Sequence, residues 1–458
     1  MYSPSSVIPF IVAARVVAAR VTSAWIRPAA PYSHGHQHLP PISRSFRTGP
    51  AAEINFMGYA RATQTAHGIH QRLRARAFII SELPSHQTPT DRTSTNVGST
   101  NSSEQDADSE YASRLRGDRT TYHTRQEEGA PFTLSASRLP PDPDKTICFV
   151  SVDIGMGSDL LNQRVLHRLQ ELLPEQEDGR RICHLENLSI SGTHTHSAPA
   201  GFLQYALYQI TSLGFSEEVM RAYTEGLAQA ILRAHENLQP GRIGIAQAHL
   251  LNANINRSPS SYLLNPAEER EEYAEQGDTD KTMLQLLFTD SATEQPVGAL
   301  NWFAVHGTSM NSTNNLISGD NKGYASYLME KHYNGNATLP GQGIFVGAFA
   351  STNLGDVSPN TAGPRCIDTG LPCDLLTSTC DGCSTKCIAF GPGNDMFEST
   401  EIIGRTQFEH AVKLATDLNF TLNGRIDSRH SFLDMSRLNV TLEDGEMVHT
   451  CPAALGVS

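Results

Sequence analysis

The stretch MLQLLFTDSATEQPVGALNWFAVHG, residues 283–307, decides the fold. Met283–Thr289 and Pro296–Val305 are apolar runs of strand length, and the turn-rich DSATEQ between them predicts a hairpin. The second strand runs into a loop of small residues and delivers His306 beside Gly307, where the backbone around it is open.

Upstream of this hairpin the pattern predicts a strand over Arg242–Asn256, preceded by a helix over Ser216–Leu238. Ser216 is the N-cap of that helix, and Glu217 and Glu218 in its first turn complement the helix dipole. Asn187–Ser191 (NLSIS) reads as a strand. Ser158–Leu173 repeats apolar residues at Leu161, Val165, Leu166, Leu169, Leu172 and Leu173, a helical spacing. Thr146–Ile154 (TICFVSVDI) reads as a buried strand, and Ala75–Leu83, with Arg74 and Arg76 on either side of Ala75, as a strand candidate. Downstream, a helix is predicted over Asn321–Tyr333 with Asp320 as its cap, then a strand over Gly343–Phe349 and a helix over Glu401–Leu418. This mixture indicates an α/β (mixed α+β) catalytic domain, with mixed sheets and flanking helices. No internal repeat is visible.

Two segments stand apart. Residues 1–52 contain no Asp or Glu but carry Arg15, Arg20, Arg27, Arg44 and Arg47, which suits a targeting or disordered leader. VIPFIVAA (7–14) resembles a short secretory apolar region, whereas the Arg- and Ser-rich composition also suits a mitochondrial transit peptide. Residues 84–145 are rich in Ser, Thr, Asp, Arg and Pro, and too few are apolar to offset chain entropy by burial. They read as a disordered insertion between the ordered segments 53–83 and 146–458.

The chain has 458 residues, 39% of them hydrophobic, enough for one large core or two ordinary domains. A net charge of −13, with no basic stripe to neutralise phosphates, argues weakly against a nucleic-acid partner. No run of eighteen apolar residues is present, so no transmembrane helix is expected. Eight cysteines occur, and Cys366, Cys373, Cys380, Cys383 and Cys387 lie close together in a Gly/Pro/Ser/Thr-rich segment. Such a cluster is either a disulfide-stapled loop or a zinc knot; the missing second CxxC favours disulfides and an oxidising compartment. Sequons at Asn256, Asn311, Asn336, Asn419 and Asn439 agree with secretion.

The chemistry concentrates in four places. In GTHTHSAPAGFLQYALYQITSLGF (192–215), His194 and His196 are two apart at a strand end and project to one side. They suit a metal site, an acid/base pair, or two histidines making ordinary hydrogen bonds. His306 occupies a second strand end, and two such sites together favour zinc, whose catalytic centres need about three protein ligands and one open position. Ser358, in the turn NLGDVSPN (353–360), is either a nucleophile or a serine capping a backbone group. Arg257, in NINRSP, can clamp an oxyanion or form a surface ion pair. Asp320 reads as the helix cap rather than a base.

Taken together, SGTHTHSAPAGFLQYALYQITSLGF, NWFAVHGTSMNSTNNLISGDNKGYAS, STNLGDVSPN and GPGNDMFESTEIIGR resemble the blocks of the neutral/alkaline, non-lysosomal ceramidases. INFMGYARATQTAHGIHQRLRARAFI and INRSPSSYLLNP resemble that family's N-terminal and middle blocks, all six in the family order. The resemblance covers residues 53–83 and 146–458. It implies an amidohydrolase that cleaves the N-acyl bond of ceramide to sphingosine and a fatty acid, acting peripherally on membrane lipid. It further implies zinc held by His194 and His306, with His196 handling a proton or binding substrate, Ser358 as nucleophile, and Arg257 as the middle-block arginine. Disulfides Cys366–Cys380 and Cys373–Cys387 and a structural Ca2+ are implied in the same way, leaving Cys383 unpaired.

The departures have consequences. Family members continue beyond CPAALGVS into a part that carries a Glu and a Tyr zinc ligand and an immunoglobulin-like β-sandwich, so this chain is expected to be C-terminally truncated. Cys451 is expected to pair within that part. Attack by a zinc-activated water, with Ser358 as a positioning group, competes with attack by Ser358 itself. A metal-independent serine amidase or esterase, and a non-catalytic lipid-binding fragment, remain the alternatives.

Overall fold

The computed structural model describes residues 22–25, 53–82, 141–418, 420–442 and 444–452. Its first sheet has four strands in the order β1 (Thr22–Trp25), β2 (Arg74–Ser81), β3 (Thr146–Val152) and β4 (Leu188–Gly192). β2 runs antiparallel to β1 and β3, whereas β3 and β4 are parallel. The parallel pair is bridged by helix α1 (Asp159–Leu172), and helix α2 (Glu217–Glu236) packs beside α1 on the same face. A second sheet is built from β5 (Gly241–His249), β6 (Thr282–Asp290) and β7 (Pro296–Phe303), antiparallel in sequence order. After helix α3 (Asp320–Asn334), strand β8 (Val346–Ser351) returns parallel to β7. Helix α4 (Met396–Thr416) packs against α3, and β9 (Phe420–Thr421) closes the far edge against β5.

Period-two alternation sorts these strands into layers. On β2, Ala75, Ala77 and Ile79 face α1 and α2, while Phe78 and Ile80 face the second sheet. On β3, Cys148, Val150 and Val152 take the helix side, and Ile147 and Phe149 the sheet side. The second sheet mirrors this. Leu286 and Phe288 of β6, and Val346, Ala348 and Ala350 of β8, meet the first sheet. Met283, Leu287, Ala299, Phe303 and Phe349 turn towards α3 and α4. Helices, sheet, sheet and helices therefore form four successive layers around three apolar cores.

The hairpin predicted from residues 283–305 is present, with a register irregularity at Phe288/Thr289. Ser158 and Ser216 cap their helices, accepting from Leu161 N (3.1 Å) and Val219 N (3.4 Å). Asp395 caps α4, which begins five residues before the predicted start at Glu401. The strand predicted over Arg242–Asn256 is two pieces. It breaks after His249, with Asn252 in left-handed backbone (φ 63°), and resumes as Ile255–Asn256 to pair with Val357–Ser358. Asp320 is the first residue of α3 and not its N-cap, which is Gly319. Its carboxylate accepts from Asn321 N (2.7 Å) and also from Ser309 N (3.1 Å) and Met310 N (2.9 Å), so it anchors a loop to the helix start. Thr22–Trp25 forms an edge strand, and the rest of residues 1–52, like the segment 83–140, lies outside the described residues.

The disulfides are Cys366–Cys380 and Cys373–Cys387, as the resemblance implied, and also Cys148–Cys183, which joins β3 to the loop before β4. Cys383 and Cys451 carry free thiols.

Two buried cations escape any reading of local pattern. Arg76 on β2 pairs with Asp153 (3.2 Å) and with Glu330 of α3 (2.9 Å), tying the first sheet to a helix of the second. Such a buried network is costly to break, because removing one member strands the charge of the others. Lys322 donates from Nζ to Phe303 O (2.9 Å) and Ala350 O (3.0 Å), clipping together the ends of β7 and β8. Burial drives this amine down to about 7. A neutral amine has two N–H groups, matching the two carbonyls.

Candidate metal centre

The strand ends deliver the functional side chains to one place. His194 follows β4 by two residues, and His306 follows β7 by three. Thr195 bridges Gly307 in parallel fashion, and His196 N donates to Gly307 O (3.1 Å), so the two strand ends are joined directly. Gly307 is required there: a Cβ would lie 2.5 Å from His194 O and 2.7 Å from Thr195 Cα. Ser351, ending β8, donates its hydroxyl to Thr193 O (3.2 Å) and adds the third strand end to the junction. Carboxyl ends of parallel strands are where open α/β sheets place ligands.

The three imidazoles stack edge to face, with ring centroids 4.6 Å apart for His194–His306, 4.7 Å for His194–His196 and 5.3 Å for His196–His306. One ring nitrogen of each lies within 4.8 Å of those of the others. Tautomers follow from the partners. His194 Nδ1 lies 2.6 Å from Gly155 O and His306 Nδ1 lies 2.8 Å from Leu354 O. A carbonyl only accepts, so both Nδ1 atoms carry the proton and both Nε2 atoms present lone pairs. Holding Nδ1–H on a carbonyl is the usual outer support of a metal-ligating histidine.

His306 is tied at every polar atom except Nε2: its N–H donates to Val357 O (3.1 Å), and its carbonyl accepts from Asn321 Nδ2 (2.9 Å). His194 sits in left-handed backbone (φ 63°), with its N–H on Ile154 O (3.1 Å). His196 Nε2 is 3.2 Å from His194 Nε2, and its Nδ1 is buried without a partner.

Burial pushes all three imidazoles below the ordinary histidine value, His306 to about 4 and His196 to about 2, and the charge of Arg257 adds to each shift. They are therefore neutral near pH 7, the state in which imidazole binds a metal. Converging neutral lone pairs in a water-poor site suit a cation, so the donor set fits zinc or another borderline metal.

Tyr59 and Gly58 wall the site. The Tyr59 ring meets His196 edge-on at 4.6 Å, and its hydroxyl donates to Met310 O (2.8 Å). Burial, with the Asp320 carboxylate adding, holds this phenol above its usual range. A Cβ on Gly58 would lie 2.3 Å from the His196 ring, so this backbone touches the imidazole face.

Ser358 and Arg257 join the site through the chain that holds His306. Val357–Ser358 pairs antiparallel with Ile255–Asn256, and Arg257 N donates to Asp356 O (2.8 Å). Ser358 is buried, and its Oγ accepts from Asn360 N (3.1 Å). Among the described residues no histidine hydrogen-bonds this hydroxyl. The structure thus gathers the three histidines directly and brings Ser358 alongside through Val357, whose carbonyl holds His306. Asn321, Tyr59 and Gly58 were not singled out from sequence. The apolar cluster Cys366, Cys373 and Cys380 also has metal-like proximity, but its sulfurs are in disulfides.

Comparison with known proteins supplies a context for this geometry. The family model described as Neutral/alkaline non-lysosomal ceramidase, N-terminal, matches residues 42–98 and 138–458. The unmatched interval, 99–137, falls inside the insertion read from composition. A neutral ceramidase of Drosophila melanogaster is 40% identical over 427 residues, covering 91% of this chain and 51% of that protein. Neutral ceramidase A of Dictyostelium discoideum is 40% identical over 416 residues, covering 90% and 49%. A solved structure described as a ceramidase complexed with C2 superposes with a TM-score of 0.66 at 30% identity, covering 97% of this chain and 51% of that one. Neutral ceramidase from Pseudomonas aeruginosa gives a TM-score of 0.65 at 29% identity, covering 96% and 52%. The chain spans about half the length of the curated relatives it matches.

Proposed function

This chain belongs to the neutral/alkaline non-lysosomal ceramidase family, and from that premise we propose that it contributes the zinc-binding region of an amidohydrolase that cleaves the N-acyl bond of ceramide. The observation that carries this reading is the pair of histidines with Nδ1 fixed on carbonyls, in a trio whose ring nitrogens gather within 4.8 Å of one another.

His194 and His306 would hold the metal. Zinc, when bound, polarises an amide carbonyl and acidifies a water molecule, which provides attack at neutral pH. Cleavage also requires a proton on the leaving amine nitrogen. His196, in contact with His194 and walled by Tyr59, would take the proton that the attacking water gives up and hand it to the departing sphingosine amine. The positive charge of Arg257 favours the tetrahedral oxyanion. Ser358 positions the substrate carbonyl rather than attacking it. Its hydroxyl is engaged by Asn360 N and lacks a histidine base, which weighs against the metal-independent serine amidase. A structural Ca2+ has no cluster of three acidic ligands among the described residues to receive it.

Ceramide resides in membranes, and Tyr205, Leu207, Ile210, Leu213 and Phe215 expose apolar surface downstream of the histidine pair. We assign this segment to peripheral contact with the bilayer; no helix of the described residues is long and apolar enough to cross one. Three disulfides and the exposed sequons Asn311, Asn336 and Asn439 support a secretory compartment over a mitochondrial one. Asn256, by contrast, is buried.

The test is fatty-acid release from N-acylsphingosine by zinc-loaded and chelator-stripped protein. Hydrolysis that disappears with the chelator and returns with zinc supports the proposal. Chelator-resistant hydrolysis would instead favour the serine mechanism, and zinc binding without turnover would favour a lipid-binding role.

A further inference from the structure

The proposed mechanism uses the side chain of His306 but leaves a question about its backbone. A ligand at a strand end, next to a glycine, has little local restraint. The restraint comes from the first turn of α3 and is built from three consecutive buried residues, Asp320, Asn321 and Lys322. Asp320 holds the amides of Ser309 and Met310 just beyond His306. Lys322 holds Phe303 O, just before it. Asn321 lies between and reaches His306 itself. Its Nδ2 donates to His306 O (2.9 Å) and approaches Ser309 Oγ and Asp320 Oδ1 (3.1 Å each). Its Oδ1 accepts from Gln407 Nε2 of α4 (3.1 Å), and Gln407 Nε2 also reaches Ile403 O (3.3 Å). Asn321 and Gln407 are both fully buried.

We propose that Asn321 is a positioning residue for the metal ligand His306, with Gln407 fixing the orientation of the Asn321 amide from the final long helix. Three features single it out. The Asn321 amide joins His306 O to Gln407, so the orientation that donates to the histidine is dictated by the glutamine's N–H. No other polar atom of His306 is left to set its height except Nδ1 and N–H, which bond to Leu354 and Val357 on the loop after β8. Losing the Asn321 contact leaves the polar atoms of His306 itself held only by Leu354 O and Val357 O. An aspartate here would lose both donors and place a second carboxylate against Asp320, so the site requires the amide.

This inference rests on the zinc reading above, and the experiment separates the two. Zinc affinity is measured by competition with a fluorescent chelator on the full 458-residue chain and on the Asn321→Ala, Gln407→Leu, Gln285→Leu and His194→Ala variants, with thermal melts alongside. Gln285 is an equally buried amide that bonds Asn301 and Ala411 but neither His306 nor Asn321, so it reports generic loss of a buried polar contact. Outer partners of metal ligands typically govern affinity by about 10- to 100-fold. Asn321→Ala is expected to weaken zinc about tenfold or more, and Gln407→Leu by a smaller factor. Gln285→Leu is expected to lower the melting temperature while leaving affinity within about twofold. If His194→Ala abolishes binding while Asn321→Ala and Gln285→Leu behave alike, the positioning role is overturned and the zinc site stands. If His194→Ala leaves zinc binding unchanged, both readings fall. Should Asn321→Ala not fold, Gln407→Leu decides: an affinity equal to that of Gln285→Leu overturns the proposal.

Discussion

The histidine junction and the cysteine-rich loop are both short, turn-filled segments, yet they are held by opposite means. Around His194, His196 and His306 almost every polar atom is paired with backbone or buried amides, and the surroundings are fully packed. Across residues 363–390 the chain exposes Ile367, Leu371, Leu375, Leu376, Ile388 and Phe390 and buries little besides Cys366 and Cys380. Two disulfides stand there in place of a core. Burial and hydrogen bonding give a site its directional precision, because each bond fixes an angle as well as a distance. Cross-links restrict only where the chain can go, which suffices for a surface loop.

The largest effect should come from attacking the junction directly. His194→Ala removes a proposed ligand, and ceramide hydrolysis should fall by more than about 100-fold, beyond the range seen for outer-shell partners. A zinc-loaded activity assay checks this, and retention of full activity would dissolve the distinction between the two regions. Opening Cys366–Cys380 by a double Cys→Ser substitution should instead cost about 3 kcal/mol of stability, the scale for a loop of about 15 residues. Zinc affinity should not move; urea denaturation and chelator competition measure the two quantities separately.

Gly58→Ala probes how tightly the junction is packed. The new Cβ meets the His196 ring in backbone with φ 126°, and overpacking of this kind typically costs about 1–3 kcal/mol. The melting temperature should drop and catalytic turnover with it. Unchanged values for both would show that this wall is loose.

The smallest effect is a pH slope. The amine of Lys322 lies at about 7 in the folded chain against an ordinary 10.5. Between these values the unfolded chain binds more protons, so stability rises with pH across that window. Lys322→Met should lose this rise, seen as a flatter plot of urea midpoint against pH from 7 to 9 than that of the parent chain. Identical slopes would mean that Lys322 is charged in the fold.

Much of the layout was legible in the sequence. The 283–305 hairpin, the Ser158 and Ser216 caps and the paired strand-end histidines all depend on neighbours a few residues away, where side-chain periodicity and capping chemistry act. Resemblance carried further, to the family and to two of the three disulfides. Local pattern failed where partners are distant. Arg242–Asn256 reads as one strand because its apolar content is continuous, but residues near 357 recruit its second half. Asp320 reads as a cap because it stands at a helix start, but it is the first helical residue, and the distant amides of Ser309 and Met310 share its carboxylate with Asn321 N.

What the sequence by itself determined is therefore the set of elements, their order, and the identity of the histidines that gather. Tertiary structure decided the rest. Which imidazole nitrogen is bare depends on carbonyls of Gly155 and Leu354, and the seating of His306 depends on an amide fifteen residues away and a helix beyond it. Those are long-range hydrogen bonds in a buried setting, and their geometry exists only once the sheets and helices have packed.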